Sequence, residues 1–271
     1  MTNYVELLSL VQYSLVAAAV LGVVGGIVGV FVMQRDMAFA VHGVSELSFA
    51  GAAAALLLGV SVVVGSLFGS LAAALAIGVL GAKVRDRNSA IGVLMPFGLG
   101  LGILFLALYP GRSSSKFGLL TGQVIAVDGP QLGWLIATSL LALGILVAVW
   151  RPLMFDSLDP DVAAARGLPS GAVSVAFMLV VGLVVAVAVH IVGALLVLAL
   201  LVPPAASALR ISASPVAVPL LSATFGVTAA VGGILLALGG SLPISPFITS
   251  IAFGIYLVCR GVGYGRSRVQ L

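Results

Sequence analysis

Charged residues are scarce in this chain of 271 residues: 7% are Asp, Glu, Lys or Arg, whereas 62% are hydrophobic. An ordinary soluble domain has about 25% charged residues, because its surface has to interact with water. The shortage of charge therefore excludes a soluble fold and leaves a protein that crosses the membrane several times. The mean hydropathy of +1.31 indicates the same class.

Strict alternation of polar and apolar residues, the pattern of a transmembrane strand, is missing from the apolar runs. These runs are about 17 to 25 residues long, which is the length of a membrane-spanning helix. Backbone groups inside a bilayer have to pair with one another, and helices achieve this within each span. We therefore predict an all-α, polytopic membrane protein with a single transmembrane domain over residues 1–271.

Cysteine and nucleotide-binding motifs are also lacking. The single cysteine, Cys259, excludes a disulfide framework. The chain contains no GxxxxGK[ST] phosphate loop and no GxGxxG motif after a strand. Its longest loops, of about 20 residues, are too short for a nucleotide-binding domain. If a nucleotide drives transport, another chain has to bind it.

Breaks between the apolar runs predict about nine spans, with eight as the alternative count. The first run has no basic region before it, so we expect a membrane span there rather than a secretory signal. The approximate bounds are 11–33, 38–58, 62–82, 89–109, 131–150, 172–189, 192–209, 215–238 and 246–260.

Basic residues in the loops predict the orientation, because they concentrate on the cytoplasmic side of membrane proteins. Nine spans with the N-terminus outside place only Arg112 and Lys116 on the outer side. We therefore expect an outside N-terminus and a cytoplasmic C-terminus. The basic residues on the cytoplasmic side are then Arg35, Lys83, Arg85, Arg87, Arg151, Arg166, Arg210, Arg260, Arg266 and Arg268.

The cytoplasmic loop after the fifth span contains the signals of a short helix within residues 157–168. An aspartate is suited to cap the first turn, and a proline follows at the first helical position. A second aspartate lies at the positive end of the helix dipole and an arginine lies near its negative end. A glycine follows, and it can adopt the left-handed backbone conformation that ends many helices. So short a helix needs a support, either its own bundle and lipid headgroups or a cytoplasmic partner. In order, these residues are Asp159, Pro160, Asp161, Arg166 and Gly167.

The second span carries two ionisable residues, His42 and Glu46, which are four positions apart and therefore share a helix face. Glu46 is about 13–15 Å from the basic end of the span, near the midplane, where an acidic residue costs on the order of 2.5–3.5 kcal/mol. An imidazole and a carboxylate together can bind Zn²⁺ or Mn²⁺. The alternatives are a pair that neutralises itself by hydrogen bonding and a proton relay. A metal site needs further ligands, which a symmetric dimer would supply.

Two other features of the apolar runs are candidates for a transport path. His190, at the outer end of the sixth span, is either a third metal ligand or an interfacial histidine without a metal role. Pro203 and Pro204 in the seventh span remove backbone donors and predict a helix break. Membrane proteins tolerate such breaks beside protein or a cavity, and a plain kink is the alternative.

Four stretches, taken in order, match the pattern of one known family. They are GGIVGVFVMQRDMAFAVHGVSELSFAGAA, DPDVAAARGLPSG, VGALLVLALLVPPAASALRIS and SLPISPFITSIAFGIYLV. Together they cover nearly the whole chain and resemble the membrane permease of ATP-binding-cassette (ABC) importers for zinc, manganese and iron. That family commonly has Asp-x-x-x-His on the second helix, whereas His42 and Glu46 stand here in reverse order. The last stretch begins with Ser241, where an acidic residue is frequent.

The resemblance implies a permease subunit of the bacterial plasma membrane with no enzymatic activity, no resident cofactor and no nucleic-acid partner. Two copies would form the path for Zn²⁺, favoured by the histidine, or for Mn²⁺. An extracytoplasmic metal-binding protein would deliver the ion, and a dimer of cytoplasmic ATP-binding subunits would drive transport. The implied docking residues for these subunits are Asp159, Pro160, Asp161, Ala163, Arg166 and Gly167.

Two other classes of protein compete with this interpretation. An ion-coupled secondary transporter of a cation or small solute would need no ATPase and often shows two related halves, but the sequence has no evident internal repeat. A membrane-embedded hydrolase would need a motif such as HExxH or GxSxG, and both are missing.

Overall fold

The computed structural model describes residue 8 and residues 10–80, 84–111, 127–238 and 243–269. Over these ranges the chain is helical and contains no strand, so the all-α prediction is confirmed. In chain order the helices are α1 (Gln12–Gln34), α2 (Ala38–Leu58), α3 (Val62–Leu80), α4 (Val84–Leu108), α5 (Gly129–Ala148), α6 (Trp150–Leu158), α7 (Pro160–Ala165), α8 (Ser170–Val192), α9 (Ala194–Ile211), α10 (Ala217–Ala237) and α11 (Ile244–Val269).

Eight helices in the described part of the chain are long and apolar enough to cross a membrane, namely α1 to α5, α8, α10 and α11. The remaining predicted span corresponds to α9, whose apolar part, Leu196–Ile211, is shorter. Most predicted bounds agree with the helices to within a few residues, and the polytopic helical architecture is confirmed. The largest differences are an earlier start of α4, at Val84, and a longer α11, which continues to Val269. The orientation of the termini stays a prediction.

The chain divides into two compact units. Unit 1 comprises Met1–Met33, Val124–Leu135 and Leu198–Leu271, and unit 2 comprises Gln34–Gln123 and Ile136–Val197. The histidine–glutamate pair of α2 and the helices α6 and α7 therefore belong to unit 2. The single transmembrane domain over the whole chain stays a prediction.

In unit 1, α1 packs against α10 through residues without side chains. A Cβ at Gly22 would collide with the backbone of Gly226 and Val227, and a Cβ at Gly26 would collide with the backbone of Ser222. The hydroxyl of Ser222 donates a 2.6 Å hydrogen bond to the carbonyl oxygen of Gly26. Close backbone contact of this kind is how helices associate in lipid. Apolar side chains gain little there by moving from lipid into a helix contact, because both surroundings are apolar.

The predicted helix break at Pro203 and Pro204 is wrong, because α9 continues through both residues. Pro204 cannot donate to the carbonyl oxygen of Leu200, and that oxygen instead lies against Gly25 of α1, where an added Cβ would be 3.3 Å away. The hydroxyl of Ser207 donates a 2.6 Å hydrogen bond to the carbonyl oxygen of Pro203. Packing against a neighbouring helix is one of the features that allow prolines inside membrane helices.

In unit 2, α2 packs against α3 and α4, and α8 packs against α2 and α3. The backbones of α2 and α3 meet at Gly51 and Gly65, where a Cβ on either residue would collide with the carbonyl oxygen of the other. The hydroxyls of Ser48 and Ser66 share a 2.7 Å hydrogen bond. The hydroxyl of Ser66 also donates to the carbonyl oxygen of Ala186 in α8 at 2.9 Å. A buried chain of hydrogen bonds thus connects α2, α3 and α8.

Candidate functional site

The structure places His42 and Glu46 on one face of α2, as their spacing predicts. Nε2 of His42 lies 3.6 Å from Oε1 of Glu46, and the two side chains are 27% and 5% exposed. This separation suits an ion pair and exceeds the length of a good hydrogen bond. The carboxylate is therefore enclosed by protein, while part of the imidazole remains accessible.

Each of these side chains also has a second polar atom that is buried. Within the described ranges, Nδ1 of His42 and Oε2 of Glu46 have no hydrogen-bond partner. Such atoms are rare, because an unsatisfied buried donor or acceptor costs about 1–3 kcal/mol. An imidazole nitrogen and a carboxylate oxygen are both ligands for divalent transition metals. The pair therefore presents two ligand types on one face, and one nitrogen and one oxygen of the pair accept or donate no hydrogen bond within the described residues.

A complete metal site does not form within the part of the chain that the structure describes. No three His, Cys, Asp or Glu side chains are grouped closely enough there to hold a metal ion. His190, the third predicted ligand, lies in the last turn of α8 and is not grouped with the pair of α2. Within the described ranges the pair therefore supplies two ligands and no more of these types.

Two contacts fix the turn of α2 that carries Glu46. On one side Gly98 of α4 lies so close that an added Cβ would be 3.1 Å from the carbonyl carbon of Glu46. On another side the hydroxyl of Ser45 donates a 2.9 Å hydrogen bond to the carbonyl oxygen of Ala194, directly after Gly193 at φ +83°. The sequence analysis did not identify Ser45 or Gly98, and their only sequence signal is a small residue in an apolar run.

The segment between α5 and α8 contains one helix more than predicted. The sequence analysis treated the residues after the fifth span as a loop, whereas α6 follows α5 almost directly. Its buried face includes Leu153 and Asp156, at 0% and 4% exposure. Pro152 lies in the first turn of α6, where the missing N–H group breaks no helical hydrogen bond.

The short helix predicted within residues 157–168 is present as α7, with the expected ends. Oδ1 of Asp159 accepts a 3.0 Å hydrogen bond from the N–H of Val162. Gly167 has φ +77°, and its N–H donates to the carbonyl oxygen of Ala164. The N–H of Leu168 donates to the carbonyl oxygen of Ala163, which completes a Schellman motif.

One residue of the predicted docking set faces inward. Ala163 is fully buried within the chain, where α7 contacts α8, so it anchors the helix and cannot touch a partner in this conformation. Asp161 and Arg166 are exposed, and so is Val162, at 39%. The guanidinium of Arg166 lies 5.7 Å from the centre of the Phe155 ring, which attaches the end of α7 to α6.

An ion pair joins the turn after α1 to the last turn of α6. Arg35 donates a 2.7 Å hydrogen bond to Oδ2 of Asp156 and a longer one, of 3.4 Å, to the hydroxyl of Ser157. The side chains of Arg35 and Asp156 are only 11% and 4% exposed. Removing one partner of a buried ion pair typically costs about 3–5 kcal/mol. In the sequence, Arg35 serves to predict the orientation and marks the basic end of a span, and no pattern singles out Asp156.

Comparison with known proteins gives consistent matches over most of the chain. The model of the ABC 3 transport family matches residues 8–262. The chain is 32% identical over 227 residues to the manganese transport system membrane protein MntC of Halalkalibacterium halodurans. The aligned region covers 83% of this chain and 78% of that protein. It is 29% identical over 248 residues to the manganese import system permease protein ScaB of Streptococcus gordonii, covering 91% and 89%. The fold is similar to that in the solved structure of PsaBC from Streptococcus pneumoniae in complex with Fab, with a TM-score of 0.84, 27% identity and 94% of each chain covered.

Proposed function

The chain belongs to the ABC 3 transport family, and from this premise we propose that two copies of it form a path by which Mn²⁺ enters the cell. As a member of that family it is a permease subunit of a metal importer, a transport component rather than an enzyme. It is a multi-pass protein of the bacterial plasma membrane. The family implies an ATPase and a substrate-binding protein as partners. The transported metal, the pairing of two copies and the docking residues are parts of the proposal.

The observation that carries the proposal is the pair on α2. His42 and Glu46 lie 3.6 Å apart at their nearest polar atoms in a helix that is otherwise apolar enough to span the membrane. Ionisable residues in such a position usually face the interior of a bundle or a path for ions. A divalent cation passing the pair would be stabilised by the carboxylate charge and by an imidazole nitrogen.

Manganese is proposed ahead of zinc. The two relatives described above are named for manganese transport, whereas the sequence alone favoured zinc because of the histidine. Carboxylate oxygens suit Mn²⁺, and imidazole suits Zn²⁺ and several other transition metals. The ligand types alone do not decide between these metals, so the proposal follows the relatives and keeps zinc as the second candidate.

A second copy would complete the site. One chain offers one imidazole and one carboxylate from α2, and a twofold axis beside that helix would bring two of each together. Four ligands of these types are enough for a tetrahedral site and leave an octahedral one to be completed by water. Partial exposure of His42, at 27%, leaves one edge of the pair free for this arrangement.

The exposed face of α7 is the proposed docking surface for the ATPase, with α7 supported by its own chain. Its exposed residues are Asp161, Val162 and Arg166. The buried Ala163 faces the rest of unit 2. The proposal retains Asp159 and Gly167 as the residues that shape the ends of α7 and Pro160 as its first residue. Contact with the ATPase would stabilise a helix too short to be stable alone.

Transport by a reconstituted complex tests the proposal. The permease is reconstituted into liposomes with its ATPase and its substrate-binding protein, and uptake of radioactive manganese is measured with and without ATP. We expect uptake only with ATP, unchanged by ionophores that collapse proton and sodium gradients, with zinc tested as a competitor. Uptake that needs no ATP and stops with the ionophores would contradict the proposal and favour an ion-coupled secondary transporter.

A further inference from the structure

Two segments that the sequence places far apart meet at the Arg35–Asp156 ion pair. Arg35 lies in the turn that leads into α2, the helix that carries His42 and Glu46. Asp156 lies in the last turn of α6, immediately before the segment that caps and forms α7. The pair therefore connects the proposed ATPase-docking segment directly to the beginning of the proposed metal-bearing helix.

The cytoplasmic end of this connection is rigid. The N–H of Asp159 donates a 3.1 Å hydrogen bond to the carbonyl oxygen of Phe155, and the guanidinium of Arg166 lies over the Phe155 ring. The hydroxyl of Ser157 donates a 2.6 Å hydrogen bond to the carbonyl oxygen of Leu153. Because the first two contacts span the junction of α6 and α7 and the third stays within α6, the two helices should move as one body that includes Asp156.

The membrane end is attached just as closely to α2. Asp36 follows Arg35 with φ +54°, a left-handed turn conformation that aspartate adopts more readily than most residues other than glycine. Met37 is almost fully buried, and its carbonyl oxygen accepts a 3.2 Å hydrogen bond from the N–H of Val41. A displacement of Arg35 would therefore reach the first turn of α2 without being absorbed by a flexible linker.

The chemistry of the pair suits a fixed link. A charge-assisted hydrogen bond of 2.7 Å has a narrow range of lengths and directions, whereas apolar helix faces can slide past one another. The buried position protects the pair from screening by salt. The helix contacts of α7 with α8 and of α8 with α2 are apolar routes between the same two places, and the ion pair adds a direct polar one.

We propose that Arg35 and Asp156 are positioning residues that transmit movement of the α6–α7 segment to the start of α2 and so couple ATP hydrolysis to movement of the metal. This inference rests on the proposed function. Because neither side chain belongs to the exposed face of α7, loss of the pair should leave ATPase docking in place. The defect should appear in the number of metal ions imported for each ATP hydrolysed.

The test compares variants of the complete importer in liposomes, with uptake of radioactive manganese and release of phosphate measured on the same sample. Asp156→Asn keeps the shape of the side chain and removes the charge. Arg35→Lys keeps the charge and loses the planar guanidinium, and the double variant Arg35→Asp with Asp156→Arg reverses the pair. Arg151→Gln, which removes an exposed arginine from the same helix α6, is the matched control.

We expect the ratio of imported metal to hydrolysed ATP to fall at least about fivefold in Asp156→Asn, at the lower end of usual coupling effects. The ratio should fall less in Arg35→Lys, recover in part in the reversed pair and stay unchanged in Arg151→Gln. If the importer with Asp156→Asn does not assemble, the ratio measured for the importer with Arg35→Lys decides whether the inference holds. An unchanged ratio of imported metal to hydrolysed ATP overturns the inference. This includes the case in which both quantities decrease in proportion because less complex forms. If the unmodified importer takes up no metal, the proposed function fails instead.

Discussion

Gly98 of α4 lies against the peptide group that joins Glu46 to Leu47 in α2. A Cβ at position 98 would be 3.0 Å from the nitrogen of Leu47 and 3.1 Å from the carbonyl carbon of Glu46, which is closer than ordinary van der Waals contact. The position of the buried carboxylate therefore depends on the missing side chain of a residue in another helix.

Replacement of Gly98 by leucine should displace α4 from the turn that carries Glu46. Overpacking of this kind costs about 1–3 kcal/mol, so we expect a lower midpoint of thermal unfolding in detergent and weaker metal uptake. Gly98→Ala should cause a smaller loss of both. Gly100→Ala is the control in the same helix, because a Cβ there meets nothing within 4 Å. Equal unfolding midpoints for Gly98→Leu and Gly100→Ala would contradict this account of the α2–α4 contact.

Ser66 holds three helices of unit 2 together by hydrogen bonds. Ser66→Ala removes the bond between the hydroxyls of Ser48 and Ser66 and the bond to the carbonyl oxygen of Ala186. The bond from the Ser48 hydroxyl to the backbone carbonyl of residue 66 remains. Hydrogen bonds between membrane helices are worth about 0.6 kcal/mol each on average. We expect a loss of about 1 kcal/mol in the free energy of unfolding, measured by titration with denaturing detergent. The control is Ser70→Ala, because the hydroxyl of Ser70 donates to Leu67 within its own helix. A loss in Ser70→Ala as large as that in Ser66→Ala would show that the bonds between helices add nothing.

The ends of α7 should matter for coupling to the ATPase. Asp159→Ala removes the cap, at a cost of about 0.5–2 kcal/mol, and Gly167→Ala forces a side chain into the left-handed conformation, at a cost of about 1–2 kcal/mol. Both variants should reduce the amount of ATPase that co-purifies with the permease. Gly171→Ala, where a Cβ has open space, should not. Unreduced co-purification in Asp159→Ala and Gly167→Ala would remove α7 from the docking surface.

Much of this fold could be predicted from the sequence because its signals are local. Long apolar runs determine the helices, and the ends of α7 follow from Asp159 and Gly167, whose capping interactions involve neighbouring residues. The spacing of His42 and Glu46 likewise placed both side chains on one face of α2. These predictions depend on no contact between distant parts of the chain.

The features that could not be predicted from the sequence depend on tertiary contacts between residues that are far apart in the chain. Pro203 and Pro204 predict a break by local rules, but α9 continues through both residues and packs against a glycine of α1. Arg35 and Asp156 are ordinary loop charges in the sequence, and only the fold brings them together. Ala163 was predicted to dock a partner because it lies in the motif of the short helix. Only the fold shows that it is buried, where α7 packs against other helices of unit 2.

The central claim is that the metal passes the side chains of His42 and Glu46. Its most direct test is ATP-dependent manganese uptake by the reconstituted importer carrying Glu46→Gln, compared with Asp36→Asn, which neutralises an exposed carboxylate just before the same helix. With equal ATPase content in all samples, we predict at least about a tenfold loss of uptake in Glu46→Gln, since even indirect partners of a metal site cost that much, and no loss in Asp36→Asn. Unchanged uptake in Glu46→Gln would contradict the claim.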